Sequence, residues 1–392
     1  MVPKLRFRAF SEEYNIRKLK ETADIVTGNT PSTSNSNFYG GEYMFVSPVD
    51  INEGKFVSHT KTTVSKEGFI NGREIPAYSV MFVCIGSTIG KLAINSNPCI
   101  TNQQINSLIC NAYFSANYLY SILEKHSKKI KELAGIQAVP LINKTTFSNV
   151  ELYFPNIEEQ TKVASFISSI DEKISLMDKQ YDLLCQYKKG MMQKIFSQEF
   201  RLKDKDGKDF PKWDNKKIGS LISEYKCKTT KENEWPVMTS SRSGLVLQRE
   251  YYGENRLTER SNIGFNIIPC DYLTYRSRSD DGLFFFNQNK LNITGCISVY
   301  YPVFKFKYGN NYFYTTMFNY YKNLFRAYAV GSSQLVLSIT DLKEMKFLIP
   351  SPDEQKKISE FLSAIDKRID TAKSTLDKLK IWKQGLLQQM FV

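Results

Sequence analysis

The sequence predicts an α+β protein ordered as globular segment, long helix, globular segment, long helix, with an internal repeat. Two observations carry this. Residues 155–196 align without gaps on residues 350–391, at an offset of 195, with about a third of the positions identical. The stretches outside the copies, 1–154 and 201–349, are alike in length and mixed in strand and helix signals. Fixed-offset similarity of this kind marks a duplicated structural unit.

The repeated segments read as helices. "PNIEEQ" and "PSPDEQ" open them with start signals: Asn156 or Ser351 as cap, Pro352 at the first helical position, and Glu159 or Glu354 completing a capping box. Apolar residues then recur every three or four positions. In the first copy they are Val163, Phe166, Ile170, Ile174, Met177, Tyr181, Leu184, Met191 and Ile195. In the second they are Ile358, Phe361, Ile365, Ile369, Ala372, Leu376, Leu379, Leu386 and Met390. Such a seam over roughly 35 residues makes a helix about 50 Å long. One apolar stripe requires a partner, and the copies are each other's natural partners. Gln160 and Gln355 belong to the same repeated face.

The division read from these patterns is 1–154, 155–200, 201–349 and 350–392. In the first globular segment "YMFVSPVDI" and "YSVMFVCIG" read as strands, and 115–135 as a helix ending at Gly135. In the second, "CDYLTYRSRS", "LFFFNQ" and "ISVYYPVFKFKY" read as strands, and 312–331 as a helix ending at Gly331. "VELYFP" and "MKFLIP" close the segments as short strands. The charged "RLKDKDGKDFPKW" between first helix and second segment reads as an exposed loop.

The net charge is +13, and most of it sits in the globular segments, +4 in 1–154 and +8 in 201–349. A polyanionic partner is therefore expected. No apolar run approaches 18 residues and no signal-peptide pattern opens the chain, so a cytoplasmic protein without a membrane partner is expected. Seven scattered cysteines with no C-x-x-C, and two histidines remote from any carboxylate cluster, predict reduced thiols and no metal site.

The sequence resembles the specificity subunit of type I restriction-modification systems over its whole length. The paired P-x-x-x-E-Q helix starts carry the resemblance, with "GNTPS" at 28–32, "IGSTIGK" at 85–91, "TNQQI" at 101–105 and "FPKW" at 210–213. It implies two target recognition domains, each reading half of a bipartite site in double-stranded DNA, and long helices packed as an antiparallel coiled coil with pseudo-two-fold symmetry. It also implies two modification subunits methylating adenine with S-adenosylmethionine, and restriction subunits using ATP and magnesium. No cofactor is implied on this chain. The helix face implied as spacer and partner interface comprises Gln160, Phe166, Ile170, Ile174 and Leu184, with Gln355, Phe361, Ile365, Ile369 and Leu379. The second domain lacks the counterparts of "GNTPS" and "TNQQI", so the half-sites should differ and the target should be asymmetric.

No chemistry is expected of the chain itself. A glycine-rich cofactor turn and an N-P-P-F-like loop are missing. "GSTIGK" is too short for a phosphate loop, and Leu92 replaces the magnesium-binding hydroxyl. The acids of "PDEQK" sit in the first turn of a helix, where they stabilise its N-terminus. Candidate DNA contacts follow from residue chemistry, because Arg suits guanine and Asn or Gln suits adenine. In the first domain they are Asn29, Thr30, Ser32, Thr33 and Ser34, then Ser87, Thr88 and Lys91, then Asn102, Gln103 and Gln104. The last three could equally satisfy backbone groups within the fold. In the second domain they are Ser240, Ser241 and Arg242, then Tyr275, Arg276, Ser277 and Arg278, then Ser332, Ser333 and Gln334 after a helix end. The competing readings are an adaptor, whose helices recruit partners without base reading, and an enzyme with an unrecognised site.

Overall fold

The computed structural model describes residues 1–51, 54–135, 138–253 and 261–392. Two compact units divide the chain: Met1–Asp182 with Thr371–Val392, and Leu183–Asp370. The long helices, Ile157–Phe196 and Pro352–Met390, are each shared between units. Every unit thus holds the start of one long helix, the end of the other, and one mixed α/β domain.

The first domain is built on a five-stranded sheet in the order Ala23–Thr27, Ile105–Cys110, Val80–Val83, Leu92–Asn95 and Phe56–Val57, antiparallel but for the last pair. A three-stranded sheet of Thr62–Val64, Tyr39–Val46 and Cys99–Thr101 completes it. The helix Ala116–Lys131 starts where the Ser115 hydroxyl accepts from the Tyr118 amide, and buries Tyr118, Leu119, Ile122 and Leu123. The second domain has a four-stranded antiparallel sheet of Ile222–Glu224, Val303–Phe306, Leu273–Tyr275 and Phe286–Gln288. Its helix, Asn311–Tyr320, is shorter than the sequence suggests. It gives way to a 3-10 turn at Leu324–Tyr328 that drives Phe325 into a cluster with Phe286, Phe318 and Phe347. In the first domain the helix likewise stops at Lys131, ahead of Gly135.

An entering strand pairs with the closing strand in both domains: Asn15–Lys18 with Glu151–Phe154, and Asp214–Lys217 with Lys346–Ile349, all antiparallel. The long helix follows at once, so its first turn lies against the domain's own entrance.

That junction corrects the capping-box expectation. Asn156 and Ser351 do cap, accepting from the amides of Glu159 and Glu354. The glutamates turn inward, however, and are almost fully buried, at 0% and 1% exposure. Glu159 takes Arg6 in a two-point pair at 2.8 and 2.7 Å and accepts from the Tyr14 hydroxyl. Glu354 takes Arg201 at 3.1 and 2.7 Å and accepts from the Trp213 indole. A buried carboxylate is tolerable only with such partners. The expected exposed loop is therefore pinned at both ends, by Arg201 and the buried Trp213, and only its middle is exposed.

Gln160 and Gln355 are buried as well. Each donates to the carbonyl of the proline five residues earlier, and its oxygen accepts the backbone N–H of the residue that caps the domain helix, Ser115 or Asn310. They join helix to domain rather than helix to helix, which corrects their placing on the helix-to-helix spacer face.

Within each unit the two helical halves run antiparallel. In the first, Val163, Ala164, Ile167 and Ile170 pack with Leu386, Leu387 and Met390, flanked by Phe166, Ile174 and Leu379. In the second, Ile195 packs with Ile358, Leu362 and Ile365, flanked by Phe361 and Ile369. Leu184 is half-buried. Asp171 pairs with Lys383 at 2.8 Å, and Asp366 with Lys188 at 2.5 Å. Asp171 and Asp366 are 195 apart, as are Lys188 and Lys383, so the two bridges are one contact made twice with the roles of the helices exchanged. Each helix end docks on a domain in the same pattern, Phe391 against Tyr118 and Phe196 against Phe313.

Lys383 also meets Glu124 of the first domain's helix, while Lys55 reaches Ser168 at 2.8 Å. Burial pushes the Lys55 ammonium down to about 8, against the pull of Asp171. Between pH 8 and the ordinary lysine value of 10.5 the unfolded chain binds this proton and the folded chain releases it, so Lys55 adds stability as pH rises through that window. The wild type should gain on Lys55→Met between pH 8 and pH 10, read from denaturant midpoints. Glu354→Ala should cost about 3 kcal/mol in urea unfolding, because Arg201 keeps access to water and the cost stays at the low end for a broken buried pair. Lys203→Ala, which removes an exposed pair with Asp209, should cost under about 0.5 kcal/mol.

Candidate nucleic-acid interface

Three loops meet at one end of the first domain's main sheet. The 28–37 segment leaves strand Ala23–Thr27, the 85–91 segment turns between Val80–Val83 and Leu92–Asn95, and 102–104 turns into Ile105–Cys110. Gly28 is required here: a Cβ would lie 2.2 Å from the Thr101 carbonyl. Gly86 and Gly90, at φ +94 and +95, close a hairpin turn that continues as a strand, so "IGSTIGK" is not a phosphate loop opening a helix.

Thr30 donates to the Gln103 side chain at 2.7 Å, and Gln104 donates to the Ile85 carbonyl. Asn102 donates to Gln104 and accepts its amide. Asn102 and Gln104 are thus spent inside the fold, stitching the loops together. Ser32, Thr33, Ser34, Ser87 and Gln103 are exposed, while Asn29, Thr88 and Lys91 are half-buried. Asn29 accepts the Arg73 amide, and the Arg73 guanidinium donates to the Thr27 carbonyl. This exposed arginine at the loop base was not among the sequence candidates; it comes from a turn after a short helix and carries no motif.

In the second domain Arg242, Arg276 and Arg278 line one cleft of about 480 Å³ with Tyr251, Tyr252 and Phe285. Arg242 and Ser243 form the two-residue tip of a hairpin between Met238–Ser241 and Gly244–Leu247. Two-residue hairpin loops have few allowed shapes, so the tip is well defined. The guanidinium of Arg278 stacks on Tyr300 at 4.1 Å. Asp280 and Asp281 also line the cleft.

Several candidates prove structural. Tyr275 is 0% exposed and its hydroxyl donates to the Leu337 carbonyl, so it is core and cannot meet a duplex. The Ser240 hydroxyl accepts from Asn287, and Ser241 donates to the Gly244 carbonyl; both are nearly buried and hold the hairpin. Ser277 donates to the Tyr300 carbonyl. Ser332 and Ser333 are exposed, in a turn between Val330 and Val336, which bridge across it, rather than directly at a helix end. Gln334 in that turn donates to Asp280 at 2.8 Å, bringing it to the cleft.

Ile170 and Ile365 are buried in the helix-to-helix seam of their units, the spacer part of the face assigned to them. The large apolar side chains that the long helices leave exposed are Ile157 at the very start of the first, then Leu176, Leu183, Tyr187, Ile381 and Trp382. Among the described residues no group of histidine, cysteine or acidic side chains could hold a metal, and no helix is long and apolar enough to cross a membrane.

Tyr275→Phe should leave duplex affinity unchanged and cost about 1–2 kcal/mol of stability, through the stranded Leu337 carbonyl. Arg276→Ala should do the reverse, and gel-shift and melting measurements on both variants separate the roles.

Comparison with known proteins agrees with this architecture. The type I restriction modification DNA specificity domain matches twice, over residues 11–185 and 211–380. The MjaIX specificity subunit of Methanocaldococcus jannaschii is 25% identical over 225 residues, 54% of this chain and 52% of that one. The HindI specificity subunit of Haemophilus influenzae is 35% identical over 150 residues, 37% and 32% of the two chains. These two matches span about half and a third of the relatives' lengths. The M. jannaschii MjaVIII specificity subunit is 22% identical over 406 residues, covering 96% of this chain and 91% of its own. The crystal structure of a type I system S subunit from M. genitalium shares the fold at 15% identity, covering 100% of this chain and 99% of that one with a TM-score of 0.61. Two DNA specificity domains on one polypeptide, each followed by a long helix, place the chain in the family of type I restriction-modification specificity subunits.

Proposed function

We propose that this chain is the sequence reader of a type I restriction-modification complex and performs none of its chemistry. Each domain reads one half of an asymmetric, bipartite duplex target. The observation that carries this is the arginine cleft at the hairpin tip of the second domain, where Arg242, Arg276 and Arg278 converge beside aromatic rings. Phosphates are satisfied by positive charge, whereas base edges need donors held in fixed planes. A rigid tip with stacked arginines suits the second task. The first domain offers amide and hydroxyl groups on braced loops, a chemistry suited to other bases, which supports unlike half-sites.

The long helices act as the ruler between half-sites. Their exposed apolar residues, Leu176, Leu183, Tyr187, Ile381 and Trp382, suit the docking of two modification subunits. Those subunits would bring S-adenosylmethionine for adenine methylation, and restriction subunits would bring ATP and magnesium, all in the cytoplasm.

The test is a map of methylated adenines in cells expressing this chain with its modification subunit. Two different short half-sites at a fixed gap are expected, lost when the chain is omitted. Inserting about one turn, roughly four residues, into both long helices should lengthen the gap and leave the half-sites unaltered. Absent methylation from a soluble, active complex would overturn base reading, and an unchanged gap would overturn the ruler.

A further inference from the structure

Arg242 is held more tightly than a surface arginine needs to be. Its guanidinium lies over the Phe285 ring, 5.5 Å from the centroid, and among the described residues its hydrogen-bond partner is the Asp281 carboxylate. Asp281 is itself fixed. Its Oδ1 accepts the Ser279 hydroxyl at 2.9 Å and the Leu283 amide at 3.1 Å, which turns Oδ2 toward Arg242. The Leu283 amide, the Ser279 hydroxyl and Arg242 hold this carboxyl down at about 2, so it is ionised at any working pH.

A phosphate-binding site gains nothing from an ionised aspartate at its edge, because the carboxylate repels the duplex backbone. A base-reading site does gain. A ring on one side and a carboxylate on one end restrict the guanidinium before DNA arrives. Part of the rotamer freedom that a free arginine would lose on binding is then already lost, although the side chain is 69% exposed. Guanine presents two acceptors, N7 and O6, to a donor pair so fixed, while no other base offers that pair in the major groove.

We propose that Asp281 is a specificity-determining residue that holds Arg242 in the plane that reads one guanine in the half-site of the second domain. The carboxylate also penalises placement of Arg242 on a phosphate. The assignment rests on the base-reading function proposed above and adds to it one base and one buttress.

The experiment compares methylation maps of complexes carrying wild type, Asp281→Ala, Asp281→Asn and Arg242→Ala. It also measures binding of each complex to an unrelated duplex at fixed salt. One half-site of the wild-type motif should contain a guanine whose discrimination falls at least about tenfold in all three variants, from the worth of one bidentate base contact. The other half-site and the gap should be unaltered. Asp281→Ala should bind the unrelated duplex as tightly as wild type or more tightly, having lost a repulsive charge, whereas Arg242→Ala should bind it more weakly. A purely structural Asp281 would weaken both kinds of binding together, and that result overturns the proposal. So does an unrelaxed motif in the Asp281 variants, or a half-site pair without guanine. A wild-type complex that methylates without any bipartite motif overturns the parent reading and this proposal with it.

Discussion

A carboxylate buried in the first turn of each long helix is the constraint from which the rest follows. Glu159 and Glu354 have no water to solvate them, so each must keep its arginine, Arg6 or Arg201, and its aromatic donor, Tyr14 or Trp213. Those partners lie in the segment that enters the domain. The neighbouring glutamine takes the backbone N–H at the cap of the domain helix. Three separate stretches of chain are thereby brought to one point by groups that cannot be left unpaired. A domain so mounted cannot pivot on its helix without exposing or orphaning a charge.

The same economy governs the pairing of the helices. The seam is apolar and would tolerate sliding by a turn, as heptad-like seams do. Asp171–Lys383 and Asp366–Lys188 fix the register, because a shifted helix would strand four charged groups in half-buried positions. The exchange of roles between the two bridges is the footprint of a two-fold relation written into one chain.

Much of this was legible in the sequence. The 195-residue offset gave the helices, their seam and the order of elements, because helical periodicity is local and repeats reinforce it. Ile167 and Leu362, themselves 195 apart, are buried but fall outside the single apolar stripe, because the buried face is wider than one stripe. Glu159 and Glu354 were read as capping acids because the local spacing fits a capping box equally well. The competing partner lies 153 residues upstream, beyond the reach of any local rule. The offset itself held the answer, for Arg6 and Arg201 are also 195 apart. The candidate interface was less legible. Arg242, Arg276 and Arg278 stand out by residue type, but Tyr275 joins them only by adjacency and ends a strand buried on both faces. The role of Asp281 depends on a turn geometry that no spacing encodes.

The division of the helices has a consequence for biosynthesis. The second unit is one uninterrupted stretch, Leu183–Asp370, and all of its core is translated before residue 371. The first unit is discontinuous, and its core includes Leu386, Leu387, Met390 and Phe391. The unit whose translation starts first is therefore the one completed last, because its core lacks four members until residues 371–392 are made. A stop at residue 371 would leave the whole of Leu183–Asp370 and damage the unit that begins at Met1, inverting the usual rule that a late truncation harms what was made late.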